Sequence, residues 1–224
     1  MPKPSAPSPW GRRAPATGTA GDARRHAPSA QRNEAPILDV LRDVLPATGR
    51  ALEIGSGTGQ HIAAFAHAFR AIAWQPSDPF AESLASTAAW VADTGLDNLA
   101  APLTLDVTTP DWPAALDGPC DAIVCINVLH ITPWAVAEGL MRGAGRLLAP
   151  GGIVYLYGPY MRDGRHTAPS NAAFDASLRQ RDPAWGVRDI ADVTRCAEAN
   201  GLALDRIIDM PRDNFSLVFR LAPR

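Results

Sequence analysis

The sequence predicts a doubly wound α/β domain on a seven-stranded, mostly parallel sheet whose last strand runs antiparallel. Three observations carry that prediction. Short apolar strands alternate with helical runs from about residue 33 to the end of the chain. Glycines at alternate positions, Gly55, Gly57 and Gly59, occupy the first strand-to-helix junction. Residues 121–128, DAIVCINV, read as the apolar run of a central parallel strand.

Ile37, Leu38, Leu41, Val44 and Leu45 recur at helical spacing, with Pro36 in the first turn and Pro46 as the stop. The first strand is expected at 50–55, and the helix after the glycines at 60–69 with Ile62, Phe65, Ala66 and Phe69 as its apolar face. A second strand at 71–75 runs into the PSDP turn, a helix at 81–93 ends before Gly95, and a short third strand lies around 101–107. Beyond the strand at 121–128 come a helix at 134–148, the Pro150-Gly151-Gly152 turn and a fifth strand at 153–158. A helix at 189–200 and strands at 203–210 and 215–221 complete the chain. The short PRDN connection at 211–214 predicts a hairpin, which makes the last strand antiparallel.

A chain of 224 residues with 46% hydrophobic content is enough for one α/β domain with an appendage and a sizeable core. The formal charge of −2 gives no overall attraction to nucleic acid. It is unevenly spread. Residues 1–32 carry Lys3, Arg12, Arg13, Arg24, Arg25 and Arg32 against Asp22, a net +5 that leaves −7 on the remainder. This head is rich in Pro, Ala, Ser and Gly without apolar periodicity, so 1–32 is expected to be a disordered basic tail and 33–224 the folded domain. It lacks the apolar stretch of a secretory signal, and its prolines spoil the amphipathic helix of a transit peptide. The cysteines Cys120, Cys125 and Cys196 lack metal-ligand spacing and read as reduced thiols of a cytoplasmic protein, with no metal centre. No apolar run approaches the length of a membrane span.

Ligands of open α/β sheets bind beyond the carboxyl ends of the strands, where strand order reverses. Glu53 lies in the first such strand, Asp78 after the second, Asp106 at the end of the third and Asn127 near the end of the fourth. An Asp after a strand also serves as a cap or turn residue, so their joint spacing after the glycines is the specific signal. Glycines at the turn let the backbone approach a ligand, and the following helix offers its positive end to an anion. The spacing is GxGxG, with Glu53 two positions upstream, whereas dinucleotide sites favour GxGxxG. That difference favours S-adenosylmethionine (SAM), whose only anion is a carboxylate beside an ammonium, over a pyrophosphate cofactor.

LEIGSGTG at 52–59, Asp78, LDV at 105–107, DAIVCINVLH at 121–130 and LLAPGG at 147–152 resemble the successive motifs of class I SAM-dependent methyltransferases. The chain is similar, more closely, to the methyltransferase-like protein 26 family through RNEAPIL, GSGTGQH, WQPSDP, INVLHITPW, YGPY and residues 166–189. What the resemblance implies is a Rossmann-like class I methyltransferase fold over 33–224, with SAM as cofactor. Carried over by position, Gly55, Ser56, Gly57 and Gly59 would contact the methionyl part and adenosine of SAM. Asp78 would hold the ribose, Asp106 and Val107 the adenine, and Asn127 would lie near the methionyl ammonium. Glu53 and His61 belong to the same cofactor set. Arg32 and Asn33 would close over the cofactor, with Arg32 suited to its carboxylate.

Methyl transfer from a sulfonium is an in-line displacement, governed by alignment and exclusion of water. A base is needed only where the attacking atom holds a proton of high pKa. His130, Tyr160 and His166 are the candidate catalytic residues, with His130 best placed after the fourth strand. The long connection at 159–188 reads as a substrate lid. Phe174 and Leu178 suggest a short helix there, Ser170 is its candidate cap, and Arg162, Arg165, Arg179 and Arg181 would suit an anionic acceptor. Trp74, Trp90, Trp112 and Trp134 read as packing residues. The expected activity is methylation of a small molecule; nucleic acid is disfavoured because Asn127-Val128-Leu129-His130 lacks the Pro-Pro-aromatic motif of DNA amino-methylating enzymes. Two alternatives stay open: a non-catalytic SAM-binding protein, and a nicotinamide-dependent oxidoreductase.

Overall fold

The computed structural model describes Trp10 and residues 22–222. In chain order the elements begin with α1 (Pro28–Val44), β1 (Gly49–Ile54), α2 (Gln60–Ala68), β2 (Ile72–Asp78), α3 (Ala81–Thr94) and β3 (Leu103–Thr104). They continue with β4 (Cys120–Ile126), α4 (Trp134–Leu147), β5 (Leu148–Arg162), β6 (Arg165–His166) and α5 (Pro169–Arg181). The chain closes with β7 (Arg188–Asp189), α6 (Ile190–Glu198), β8 (Leu202–Met210) and β9 (Asn214–Leu221).

Among the described residues, the sheet runs in the order β3-β2-β1-β4-β5-β9-β8, with β6 and β7 paired to the far end of β5. Strands β3 to β5 along that path are parallel, and β9 is antiparallel to both its neighbours, β5 and β8. This is the Rossmann-like arrangement of class I methyltransferases, and the hairpin after 210 turns β9 round as the PRDN connection predicts. Order reverses between β1 and β4, so their carboxyl ends flank the crevice.

Strand alternation divides the core between two faces. Ala51, Ala122, Val124, Ile153 and Tyr155 face one way, against Ile37 and Leu41 of α1 and Ile62 and Phe65 of α2. Leu52, Ile54, Ile123, Val154 and Leu156 face the other, against Leu140 and Met141 of α4 and Val193 of α6. Trp74 and Trp112 are buried in these cores, as packing residues should be.

Several boundaries differ from expectation. Order does not begin at residue 33. Helix α1 starts at Pro28, a proline suited to the first helical position, where its missing N–H costs no hydrogen bond. Residues 22–27 lie along α3: the Arg25 N–H donates to Ser86 Oγ at 2.8 Å, and the Arg24 guanidinium sits over Trp90 and pairs with Asp93. Trp10 is 1% exposed. A disordered tail is therefore wrong for Trp10 and for 22–32; residues 1–9 and 11–21, the rest of that expectation, lie outside the described residues.

Strand β3 is only two residues long, because beyond it the Asp106 carboxylate accepts the Thr108 N–H and turns the chain. Strand β5 extends to Arg162 and there pairs with β6 and β7. The lid helix exists as α5, but Ala168 rather than Ser170 occupies its N-cap position. Its inward face is Asn171, Asp175 and Leu178, while Phe174 remains 38% exposed.

Candidate functional site

The glycine turn is fixed to the end of β2. Gly55 and Ser56 both donate N–H to Ser77 O at 2.9 Å, and Gly57 donates to Asp78 Oδ2 at 3.0 Å. Ser77 in turn donates its N–H to Ser56 Oγ and its hydroxyl to Glu53 O. Gly59 donates to Ser56 O. The amides of Gly55, Ser56, Gly57 and Gly59 are thus engaged within the protein, so the turn offers a ligand close backbone approach rather than a row of free donors.

Gly59 is glycine for a different reason. Its φ is +87°, and a Cβ there would lie 2.8 Å from Thr87 Cα and 2.9 Å from Trp90 Cδ1. It lets α2 and α3 pack closely, and it does not face the crevice.

A cavity of about 400 Å³ opens at the carboxyl ends of β1 and β4. Glu53, Gly55, Ser56, Gly57, His61 and Asn127 line it together, which unites six of the expected cofactor residues. Asn127 takes a left-handed turn there, with φ 56°, a conformation asparagine tolerates better than most side chains. The opposite wall comes from the chain entering α1, including Arg25 and His26, which reading the head as a tail had missed. The available signal was Pro28 as a helix start. Gln60 secures this wall by accepting the Ala27 N–H at its Oε1, 2.6 Å away.

Other expected residues sit elsewhere. Arg32 is exposed on α1 and does not line the cavity; Arg25 is the arginine that does. Asn33 is buried behind the wall, where its Oδ1 lies 2.8 Å from His61 Nε2 and its side chain also bonds the Tyr157 hydroxyl. Tyr157, absent from the sequence expectations, links β5 to α1 through Asn33; strand alternation could have placed it. Burial holds His61 down to about 4, against a partial upward pull from the Ala30 backbone, so the ring is neutral near pH 7.

Asp78 is wholly buried at the end of β2, accepting the Gly57 N–H and, through Oδ1, the Phe80 N–H at 3.0 Å. Asp106 accepts three donors at Oδ1: Trp10 Nε1 at 2.8 Å, the Thr108 N–H at 2.9 Å and the Thr108 hydroxyl at 2.7 Å. Val107 is buried in the same apolar cluster as Trp10.

Of the candidate catalytic residues, His130 does not line the cavity itself; it is buried in the turn between two residues that do, Asn127 and Ile131. It is 6% exposed, edge-on to Phe174, and packed against Gly158. Burial, with a smaller contribution from Arg188, pushes its pKa down to about 3. Arg188 braces this turn through Leu129 O, Thr132 O and Ala184 O.

Tyr160 is a correction: it is 3% exposed in the apolar core, because alternation along β5 puts it on the face of Val154 and Leu156. Burial drives its pKa well above the ordinary phenol value. His166 is another, since its Nε2 lies 3.5 Å from Asp175 Oδ2 within the 159–188 element and it does not line the cavity.

Comparison with known structures agrees with this architecture. The chain is similar to an O-methyltransferase family protein from Burkholderia thailandensis, with TM-score 0.74, 16% identity, and 87% of this chain covering 58% of that one. It is similar to a putative O-methyltransferase from Nostoc punctiforme, with TM-score 0.75, 18% identity, and coverage of 88% and 58%. A methyltransferase in calicheamicin biosynthesis, in its SAH-bound form, matches with TM-score 0.66, 18% identity, and coverage of 88% and 55%. The chain thus spans a little over half the length of these proteins, and at such identities the likeness is one of fold.

Architecture and crevice together define the class: a protein of the class I SAM-dependent methyltransferase-like fold. Within it, the chain belongs to the DUF938 family, described as protein of unknown function, whose profile matches residues 24–221.

Proposed function

We propose that this protein is a SAM-dependent methyltransferase acting on a small-molecule acceptor. The observation that carries the reading is the cavity where β1 and β4 diverge, walled by Gly55–Gly57, His61, Asn127 and Arg25. The site's chemistry suits the cofactor: Arg25 would pair with its carboxylate, and the Asn127 side chain would take its ammonium. The resemblance to methyltransferase-like protein 26 is part of the same proposal, as are cytoplasmic residence and action away from nucleic acid. Among the described residues, no helix is long and apolar enough to cross a membrane.

When bound, SAM supplies a methyl group on a sulfonium, ready for in-line displacement. The chain's own residues orient and enclose. Gly57 and Asp78 hold the turn in place, Asn33 bonds the His61 ring and is itself held by Tyr157, and Arg25 would meet the carboxylate. His130, held to a pKa of about 3 by burial, is neutral at pH 7 but a weak base, so orientation and exclusion of water carry the transfer. The 159–188 element covers the turn that carries this histidine: the Gly186 N–H donates to His130 O at 3.0 Å.

A second reading, cofactor binding without methyl transfer, is favoured by one observation. None of the three predicted catalytic residues, His130, Tyr160 and His166, lines the cavity.

Calorimetry with SAM, S-adenosylhomocysteine and NAD tests the reading, followed by a metabolite screen with labelled SAM. The expected results are binding of the first two ligands, loss of that binding in Gly57→Arg, and label transferred to an acceptor. Binding of NAD alone would overturn the proposal, and SAM binding with no labelled product would favour the second reading. Arg25→Ala is expected to weaken S-adenosylhomocysteine about tenfold, or about 1.4 kcal/mol. It should leave methylthioadenosine, which lacks the carboxylate, unaffected.

A further inference from the structure

The cavity does not reach every residue expected around the cofactor. Asp78, Asp106 and Val107, the residues expected around the ribose and adenine, have no surface on it. The indole of Trp10 lies beside Asp106 instead. It is 1% exposed, belongs to the large apolar cluster that also contains Leu105 and Val107, and donates Nε1–H to Asp106 Oδ1 at 2.8 Å.

We propose that Trp10 is an internal mimic of the cofactor's adenine, filling its subsite and competing with the nucleoside for the Asp106 carboxylate. The inference rests on the SAM reading above and deepens it. Indole and purine are both flat, fused bicyclic aromatics that bury most of their surface in a slot between apolar side chains. Each presents an N–H at its edge, and the indole donates to the carboxylate expected to hold the adenine. One carboxylate oxygen already accepting three protein donors has little capacity left for a fourth. The two rings cannot share the slot, so the indole must leave before the adenine enters. Apparent affinity for the nucleoside is then reduced by the fraction of molecules with the slot occupied.

Trp10 is followed closely in sequence by Arg12 and Arg13, and no other tryptophan lies in residues 1–32. One aromatic side chain in a Pro- and Ala-rich segment is a specific feature to bury against one carboxylate.

The test is calorimetry of the full chain with S-adenosylhomocysteine and with adenosine, comparing wild type, Trp10→Ala and Trp10→Phe. Trp10→Ala is expected to bind both ligands more tightly, by at least roughly threefold. Trp10→Phe, which keeps a ring but loses the N–H, should fall between, and it guards against an alanine variant that folds poorly. Adding S-adenosylhomocysteine to wild type should change tryptophan emission as the indole leaves its slot, and Trp10→Phe should lose that component. Equal affinity in all three proteins would overturn the proposal. So would weaker binding by Trp10→Ala, which would mean that the indole closes over a bound nucleoside. If no folded variant binds either ligand, the cofactor reading itself fails and this inference falls with it; binding without a gain in Trp10→Ala sinks the inference alone.

Discussion

Gly57 donates its backbone N–H to Asp78 Oδ2 at 3.0 Å, so one carboxylate ties the glycine turn to the end of β2. The second oxygen accepts the Phe80 N–H at the start of α3. Asp78 was expected as a ribose acceptor, and its geometry gives it a structural task as well. Removing it leaves two amides without their acceptor, each hydrogen bond to a charged group being worth about 1.5–3 kcal/mol. Asp78→Ala should lower stability by about 2–4 kcal/mol, less than the two bonds summed because local relaxation and water recover part of the loss. Urea unfolding measures this directly. Asp78→Asn retains one carbonyl acceptor and should lose less; equal losses in the two variants would show that the charge, rather than the acceptor position, holds the turn.

Gly59 leads to a prediction that separates packing from ligand approach. An alanine at φ +87° adopts backbone torsions disfavoured for a side chain, and its Cβ meets the Thr87 backbone at 2.8 Å. Backbone cannot rotate away as a side-chain tip can. Gly59→Ala should therefore cost about 2 kcal/mol or more in urea unfolding, combining strain with a forced separation of α2 and α3. Stability unchanged, with cofactor affinity reduced, would return Gly59 to the ligand side of the turn.

The parts of the fold legible in the sequence were those with a strong period or a rigid turn. The glycine turn, the central strand at 121–128 and the closing hairpin were readable because alternation and turn chemistry are local properties. The entry to α1 was not. Arg24 and Arg25 look like a solvated basic tail until Asp93, Ser86 and Trp90 are brought beside them by the tertiary fold. Trp10 was hidden for the same reason, since its partner Asp106 lies 96 residues away. In the site, the parity of β5 was available and would have turned Tyr160 towards the core and Tyr157 towards Asn33. The pairing of His166 with Asp175 was invisible, because it depends on how α5 folds back over β6.

Burial of two histidines sets an acid limit on stability. His130 is depressed from 6.5 to about 3 and His61 from 6.5 to about 4, each mainly by burial of the ring. Both folded-state values lie below the unfolded ones, so on acidification the unfolded chain takes up protons first. The stabilising contribution is complete above pH 6.5 and is lost as pH falls through the window down to about 4 for His61 and about 3 for His130. Within that window each ring contributes a slope of about 1.4 kcal/mol per pH unit. Urea unfolding between pH 7 and pH 5 should show stability rising with pH, and His130→Gln should flatten the slope by about one proton. An unchanged slope in His130→Gln would mean that the ring is protonated in the folded protein.

Asp175 organises the 159–188 element, and its removal gives the last test. Its Oδ1 accepts the Val187 N–H at 2.7 Å, and its Oδ2 meets Arg179 Nε at 3.0 Å and His166 Nε2 at 3.5 Å. Burial works to raise its pKa, but Arg179, the Val187 amide and His166 together hold it below the ordinary carboxylate value. A Cβ on Gly186 would fall 2.6 Å from Arg179 Nη2 and 2.8 Å from Asp175 Oδ1, so a side chain there would push into this ion pair. The Arg179 side chain is 49% exposed, which leaves that ion pair weak, so the buried Val187 amide dominates the cost. Asp175→Ala should cost about 1–3 kcal/mol through that unsatisfied donor. The loss should be local: hydrogen exchange should speed up in α5 and at Val187 while β1 and β4 keep their protection. Because the Gly186 N–H braces His130 O, loosening should also lower turnover with cofactor affinity retained. Protection lost evenly across the sheet would show instead that 159–188 is an integral part of the core.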